Sequence, residues 1–202
     1  MKIICVGRNY EEHAKELGNQ KPEAPVLFLK PKTALLTGKD FYYPEFTKDL
    51  HYECELVLKI SKNGKHIQEK FAHKYFQEIS LGIDFTARDV QSRLKAKGLP
   101  WEVAKAFDNA APVGSFRSLQ ANEEIQNLNF SLLVNGEQKQ SGFTGDMIFS
   151  APQIIAYASQ FFTLNTGDLI FTGTPAGVGP VQVSDHLEAF LGAEKVLDIQ
   201  IK

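Results

Sequence analysis

The sequence has little sulfur, no block of like charge and no long apolar run, and each shortage removes a class of protein. Cys5 and Cys54 are the two cysteines in 202 residues. They lie far apart, with neither redox-pair nor metal-ligand spacing. That excludes a disulfide framework and a cysteine-based zinc module, and it fits a reducing, cytoplasmic compartment. The 22 basic and 24 acidic residues, net −2, are interspersed, which argues against a general binder of nucleic acid or of membrane surfaces. No stretch approaches the ~18 apolar residues of a membrane span, and the apolar run near the N-terminus is too short for a signal-peptide core. What is present is a hydrophobic fraction of 43%. In a chain of this length that supports a continuous core, and residues 1–202 are expected to form a single domain.

The patterning predicts a strand-dominated α+β class. Lys2 to Val6 reads as a buried strand, and Asn9 with Glu12 has capping-box spacing for a helix running to Leu17 and ended by Gly18. Val26 to Lys30 is a second strand. From His51 to Ile60 the residues alternate, with Tyr52, Cys54, Leu56, Leu58 and Ile60 on one face and His51, Glu53, Glu55, Val57 and Lys59 on the other. Asn63-Gly64 and Asn135-Gly136 both read as tight hairpin turns. Between Ile79 and Phe85 the large residues share one face, leaving Ser80, Gly82, Asp84 and Thr86 on the other with open space beside Asp84. Helices follow over Ala87 to Lys97, where Thr86 and Asp89 have capping spacing, and from Ser150, where Gln153 completes a capping box. The second helix is expected to bury Ile154, Ile155, Ala158 and Phe161.

Glu53 and Glu55 are two residues apart on a strand, so their carboxylates leave the same face and can converge on one cation. Asp84 offers a third acid from another strand. An oxygen-only donor set suits magnesium or manganese first and calcium next, and disfavours zinc. Spacing alone leaves a solvated sheet face as the alternative.

Six segments in order carry a resemblance: Gly7-Arg8-Asn9-Tyr10, Leu29-Lys30-Pro31, His51 to Leu56, Asp84-Phe85-Thr86-Ala87-Arg88-Asp89-Val90-Gln91, Ala104-Lys105-Ala106-Phe107 and Thr172-Gly173-Thr174-Pro175. Together they resemble the fumarylacetoacetate hydrolase family, and within it the short acylpyruvase and oxaloacetate decarboxylase branch. The resemblance implies a β-roll or sandwich fold, a homodimer, and a catalytic domain acting on small keto acids. It implies that Glu53, Glu55 and Asp84 bind Mg2+ or Mn2+, and that Lys105 stabilises an enolate or oxyanion. Further, it matches His13 to the general base, Glu16 to the acid that orients it, and Arg8, Gln91 and Thr174 to substrate contacts. Arg88 is expected to orient its loop by hydrogen bonding. Counterparts of the full-length hydrolase's N-terminal domain and fourth acid are lacking, so fumarylacetoacetate itself is not the expected substrate.

The expected reaction is hydrolysis of the carbon–carbon bond of a short acylpyruvate. Oxaloacetate decarboxylation and hydroxymuconate-type isomerisation are alternatives on the same site. A non-catalytic metal- or keto-acid-binding protein is the alternative from another class. The turn containing Gly173, Gly177 and Gly179 is not a phosphate loop, since no Gly-Lys-Ser/Thr follows.

Overall fold

The computed structural model describes every residue except Leu17, Asn19, Gln20, Thr37, Ala121 and Asn122, and omits the side chains of Ala14 and Lys15. In chain order the strands are β1 (Ile3–Gly7), β2 (Val26–Lys30), β3 (Asp40–Phe41), β4 (Leu50–Tyr52), β5 (Cys54–Ile60), β6 (Phe76–Ile83), β7 (Thr86–Ala87), β8 (Arg117–Ser118), β9 (Asn129–Val134), β10 (Glu137–Phe143), β11 (Leu169–Phe171), β12 (Gly179–Pro180), β13 (His186–Leu191) and β14 (Glu194–Ile201). The helices are α1 (Glu11–Glu16), α2 (Arg88–Ala96), α3 (Glu102–Lys105) and α4 (Ala151–Phe161). The strand-dominated α+β class holds.

Among the described residues three sheets result, ordered β2-β1-β11-β5-β6-β8, β10-β9-β13-β14-β3 and β12-β4-β7. In the first, β1 and β11 run parallel while the other pairs are antiparallel. Residues from all three sheets and α4 share one apolar core. Strand β5 lies between β11 and β6 and is covered on both faces, so Val57 is buried like Leu56 and Leu58. The alternation therefore marks two packed faces rather than one wet and one dry.

Several local expectations hold. Asn135 and Gly136 take positive φ and join β9 to β10, as a two-residue hairpin requires. Ser150 and Gln153 form a reciprocal capping box at the start of α4.

Others are corrected. Asn63-Gly64 makes no hairpin; Gly64 bridges Leu164, and a 3-10 turn over Glu69–Lys74 intervenes before β6. Helix α1 starts at Glu11, and Asn9 instead donates to Phe149 O and Thr172 O and accepts from Phe149 N. Leu17, its expected end, lies outside the described residues. At α2 no side-chain cap forms, because Asp89 accepts from Thr47 and Thr86 is drawn toward Lys105. Phe161 is 56% exposed, stacked edge-on against Tyr157 rather than buried. The space beside Gly82 is filled by the Phe171 ring, which would stand 2.7 Å from a Cβ there.

Candidate metal centre

Strand register brings the three acids together. Cys54 pairs with Ile83 and Glu55 with Gly82, so Glu53, one step before β5, lies across from Asp84, one step after β6. The Asp84 amide donates to Glu53 O at 2.8 Å and fixes that juxtaposition. One carboxylate oxygen from each of Glu53, Glu55 and Asp84 falls within 4.8 Å of the other two. A shell with metal–oxygen distances of about 2.0–2.6 Å spans roughly 4–5 Å, so the set matches a hard divalent cation. The residues are 6%, 2% and 1% exposed, respectively. A solvated sheet face is thereby excluded.

The counter-charges are more numerous than the sequence suggested. Lys105, at the end of α3, donates to Glu53 Oε2 (2.8 Å), Asp84 Oδ2 (2.7 Å) and Thr86 Oγ1 (2.6 Å). Arg88 Nη2 reaches Glu53 Oε1 at 2.6 Å. Lys30, fully buried at the end of β2, places Nζ 2.6 Å from Asp84 Oδ1 and donates to Ala110 O at 2.9 Å. Its approach to Asp84 lies off the hydrogen-bonding direction, so Oδ1 is held by charge rather than by a directed hydrogen bond. An incoming cation would compete with Lys30 for that oxygen.

With all three carboxylates ionised, as ligation of a cation requires, Lys30, Arg88 and Lys105 balance them, and a divalent ion would raise the inner site to +2. Burial works against charge on Glu53, yet Lys105 and Arg88 hold its carboxyl well below the usual range. Burial, reinforced by Asp84 and Glu53, pushes Glu55 up; its Oε2 accepts from the Gly173 amide at 2.6 Å. Lys105 is pushed up to about 12, since Asp84 and Glu53 outweigh its burial. At neutral pH it is an ammonium donor, not a base.

A cleft over these groups is also lined by Arg8, His13, Gln91 and Thr174. His13, on α1, is buried with Nδ1 3.2 Å from Glu16 Oε2. Gln91 accepts from Arg88 Nη1 at 2.9 Å. Arg8 adopts φ 62°, a left-handed conformation that costs a non-glycine residue about 1–3 kcal/mol and is concentrated at functional sites. Thr174 lines the cleft, but its hydroxyl is already engaged, donating to Cys54 O at 2.8 Å. Lys30 is the residue that sequence reasoning left without a role. Its signal was a lysine closing an apolar run before Pro31, where a surface lysine would sit poorly.

Residues 2–202 match the family described as fumarylacetoacetate (FAA) hydrolase C-terminal. The chain is 45% identical over 201 residues to the mitochondrial oxaloacetate tautomerase FAHD1 of Bos taurus, covering 99% of this chain and 90% of that one. It is 45% identical over 184 residues to the mitochondrial oxaloacetate decarboxylase of Dictyostelium discoideum, covering 90% and 84%. Among solved structures it superposes on fumarylpyruvate hydrolase from Pseudomonas aeruginosa in complex with Mn2+ and pyruvate, at TM-score 0.94 and 36% identity over 100% of this chain and 89% of that one.

Proposed function

This chain belongs to the fumarylacetoacetate hydrolase family, and from that premise we propose that it enolises small keto acids, with oxaloacetate tautomerisation or decarboxylation as its main activity. Acylpyruvate hydrolysis, put first by the sequence, becomes the second reading, because the enzymes named for oxaloacetate chemistry are the relatives at 45% identity. The observation that carries the proposal is the charge of the inner site. With a divalent ion it reaches +2 and complements a keto acid bearing two carboxylates better than one bearing a single carboxylate.

Glu53, Glu55 and Asp84 are the proposed ligands, with Mg2+ or Mn2+ ahead of Ca2+. Once bound, the ion supplies Lewis-acid polarisation of the keto oxygen. Lys105, held protonated with its three N–H groups engaged by Glu53, Asp84 and Thr86, supplies positive charge beside the developing enolate. Glu16 engages His13 Nδ1, which leaves Nε2 to take a proton from the carbon beside the keto group. Arg8, Gln91 and Thr174 line the substrate's path, Thr174 through its backbone because its hydroxyl is occupied.

The second reading has its own support in the His13–Glu16 pair, which would serve equally to deliver water to a distal carbonyl. Assays of oxaloacetate enol–keto conversion, its decarboxylation and acetylpyruvate cleavage, each with manganese and with chelator, separate the readings. His13→Ala is expected to abolish tautomerisation and any hydrolysis while sparing decarboxylation, which needs no proton abstraction. No metal-dependent turnover of either acid would sink the proposal.

Residues 1–202 are proposed to act as one catalytic domain in a homodimer in the cytoplasm. Exposed Phe46 and Val103 flank a largely apolar hollow with Leu29, Pro31 and Phe107, a face suited to self-association. A monomer by sedimentation would contradict the dimer.

A further inference from the structure

Beyond the residues that line the cleft, one buried amide ties the metal strand to the base-bearing helix. Strand β10 lies at one edge of the five-stranded sheet, and Glu137, Gln138 and Lys139 on it are exposed. Its register against β9 slips between Gln138 and Gln140, placing an extra residue at Lys139. Such a bulge re-aims the side chain that follows. Gln140 is 1% exposed and reaches across to the six-stranded sheet.

There its carbonyl accepts from Cys54 N at 2.9 Å, and its amide donates to Thr174 Oγ1 at 2.8 Å and Pro175 O at 3.0 Å. Thr174 Oγ1 donates in turn to Cys54 O. Both backbone groups of Cys54, the residue between Glu53 and Glu55, are therefore fixed by this closed ring. It forms where the β11 ladder ends: Phe171 is the last residue of β11 to pair with β5, and beyond it Thr172 bonds Leu56 O, Gly173 bonds Glu55, and Thr174 with Gln140 completes the edge.

The same bulge shapes the loop that follows. Gly177 has φ 94°, and a Cβ there would fall 2.4 Å from Lys139 O, so the loop rests directly on the bulge. From that position the Gly177 amide donates to Glu16 Oε1 at 3.3 Å, while Glu16 Oε2 holds His13.

We propose that Gln140 is a positioning residue for this site, setting both the pitch of the Glu53–Glu55 segment and, through the Thr174–Gly177 loop, the placement of the Glu16–His13 pair. This rests on the metal-centre reading above. Partners one step removed from ligands shift affinity or activity by about 10–100-fold when lost.

The test compares Gln140→Met, which keeps volume and removes all three bonds, with Gln140→Glu, which keeps the acceptor for Cys54 N and loses the donors. Manganese affinity by calorimetry, melting temperature, and kcat and KM on oxaloacetate are measured for both. A Leu132→Ala control, altered at the neighbouring core position of β9, reports the effect of lost stability alone. Expected for Gln140→Met is about tenfold or greater loss of manganese affinity, a fall in kcat larger than any change in KM, and a smaller loss in Gln140→Glu. The control should retain wild-type manganese affinity.

Wild-type affinity and kcat in Gln140→Met overturn the proposal. Should that variant not fold, unchanged affinity and kcat in Gln140→Glu do the same. Equal losses in the Leu132→Ala control also overturn it, reducing Gln140 to a stability residue. A wild-type protein that binds no manganese fails the metal-centre reading instead, and is recognised before any variant is compared.

Discussion

Lys30→Met tests the charge arrangement most directly, because it removes one cation of the inner site and replaces it with a side chain of similar length. Lys30 is fully buried and meets Asp84 Oδ1 at 2.6 Å and Ala110 O at 2.9 Å. Removing one partner of a buried ion pair costs ~3–5 kcal/mol, because the remaining charge is left uncompensated. Here Lys105 still binds the other Asp84 oxygen, and the methionine packs in the lysine's channel, so the low end, about 3 kcal/mol, applies. For a chain of this size that lowers the melting temperature by roughly 6–12 °C.

The metal should offset part of the defect. Without Lys30 the inner site loses one positive charge, and Asp84 Oδ1 is freed for a cation. Manganese should then raise the melting temperature of the variant by more than it raises that of the wild type, since stabilisation by a ligand grows with the logarithm of its affinity for the folded state. Differential scanning fluorimetry with chelator and with saturating manganese reads both effects. An unchanged melting temperature in chelator, or a manganese shift smaller than the wild type's, would refute the reasoning.

Other outcomes follow from the same geometry. Glu53→Gln deprives Arg88 and Lys105 of a shared anion and should lower metal-free stability by ~3 kcal/mol or more. Glu55→Gln keeps an acceptor for the Gly173 amide and should leave the metal-free melting temperature nearly unchanged while abolishing calorimetric manganese binding. Gly82→Ala would drive a methyl to 2.7 Å from Phe171 and 2.9 Å from Val57, costing ~1–3 kcal/mol in a denaturation midpoint. Asp168 is held below the usual carboxylate range: burial opposes this, but Lys2 and the amides of Asn165 and Lys2 prevail. The unfolded carboxyl therefore protonates first as pH falls. Its contribution should be complete above the ordinary aspartate range and lost on acidification through the lowered value, and Asp168→Asn should flatten that part of the acid-unfolding curve.

What the sequence disclosed and what it hid divide along physical range. The two-residue period put Glu53 and Glu55 on one face without any tertiary knowledge, and the Ser150 cap and Asn135-Gly136 turn were readable because their bonds close within four residues. The failures are local signals captured by distant partners. Thr86 and Asp89 have the spacing of a capping box, yet Lys105 takes the threonine and Thr47 the aspartate. Asn9 is engaged by Phe149 and Thr172 rather than by its own helix. Lys30 was invisible as a counter-ion because its partner, Asp84, is 54 residues on and meets it only after the strands assemble. Gln140 was hidden for the same reason, since a bulge is a property of pairing rather than of one strand.

The parallel pairing of β1 with β11 separates two tasks within one sheet. Both strands run in the same direction, so α1 with its histidine and the Thr172–Thr174 turn leave from the same end, beside acids supplied by the antiparallel pair β5 and β6. The proposed cation ligands and the proposed proton-handling segment are thus built on different strands. Substitutions along α1 are therefore expected to alter turnover while sparing calorimetric manganese affinity.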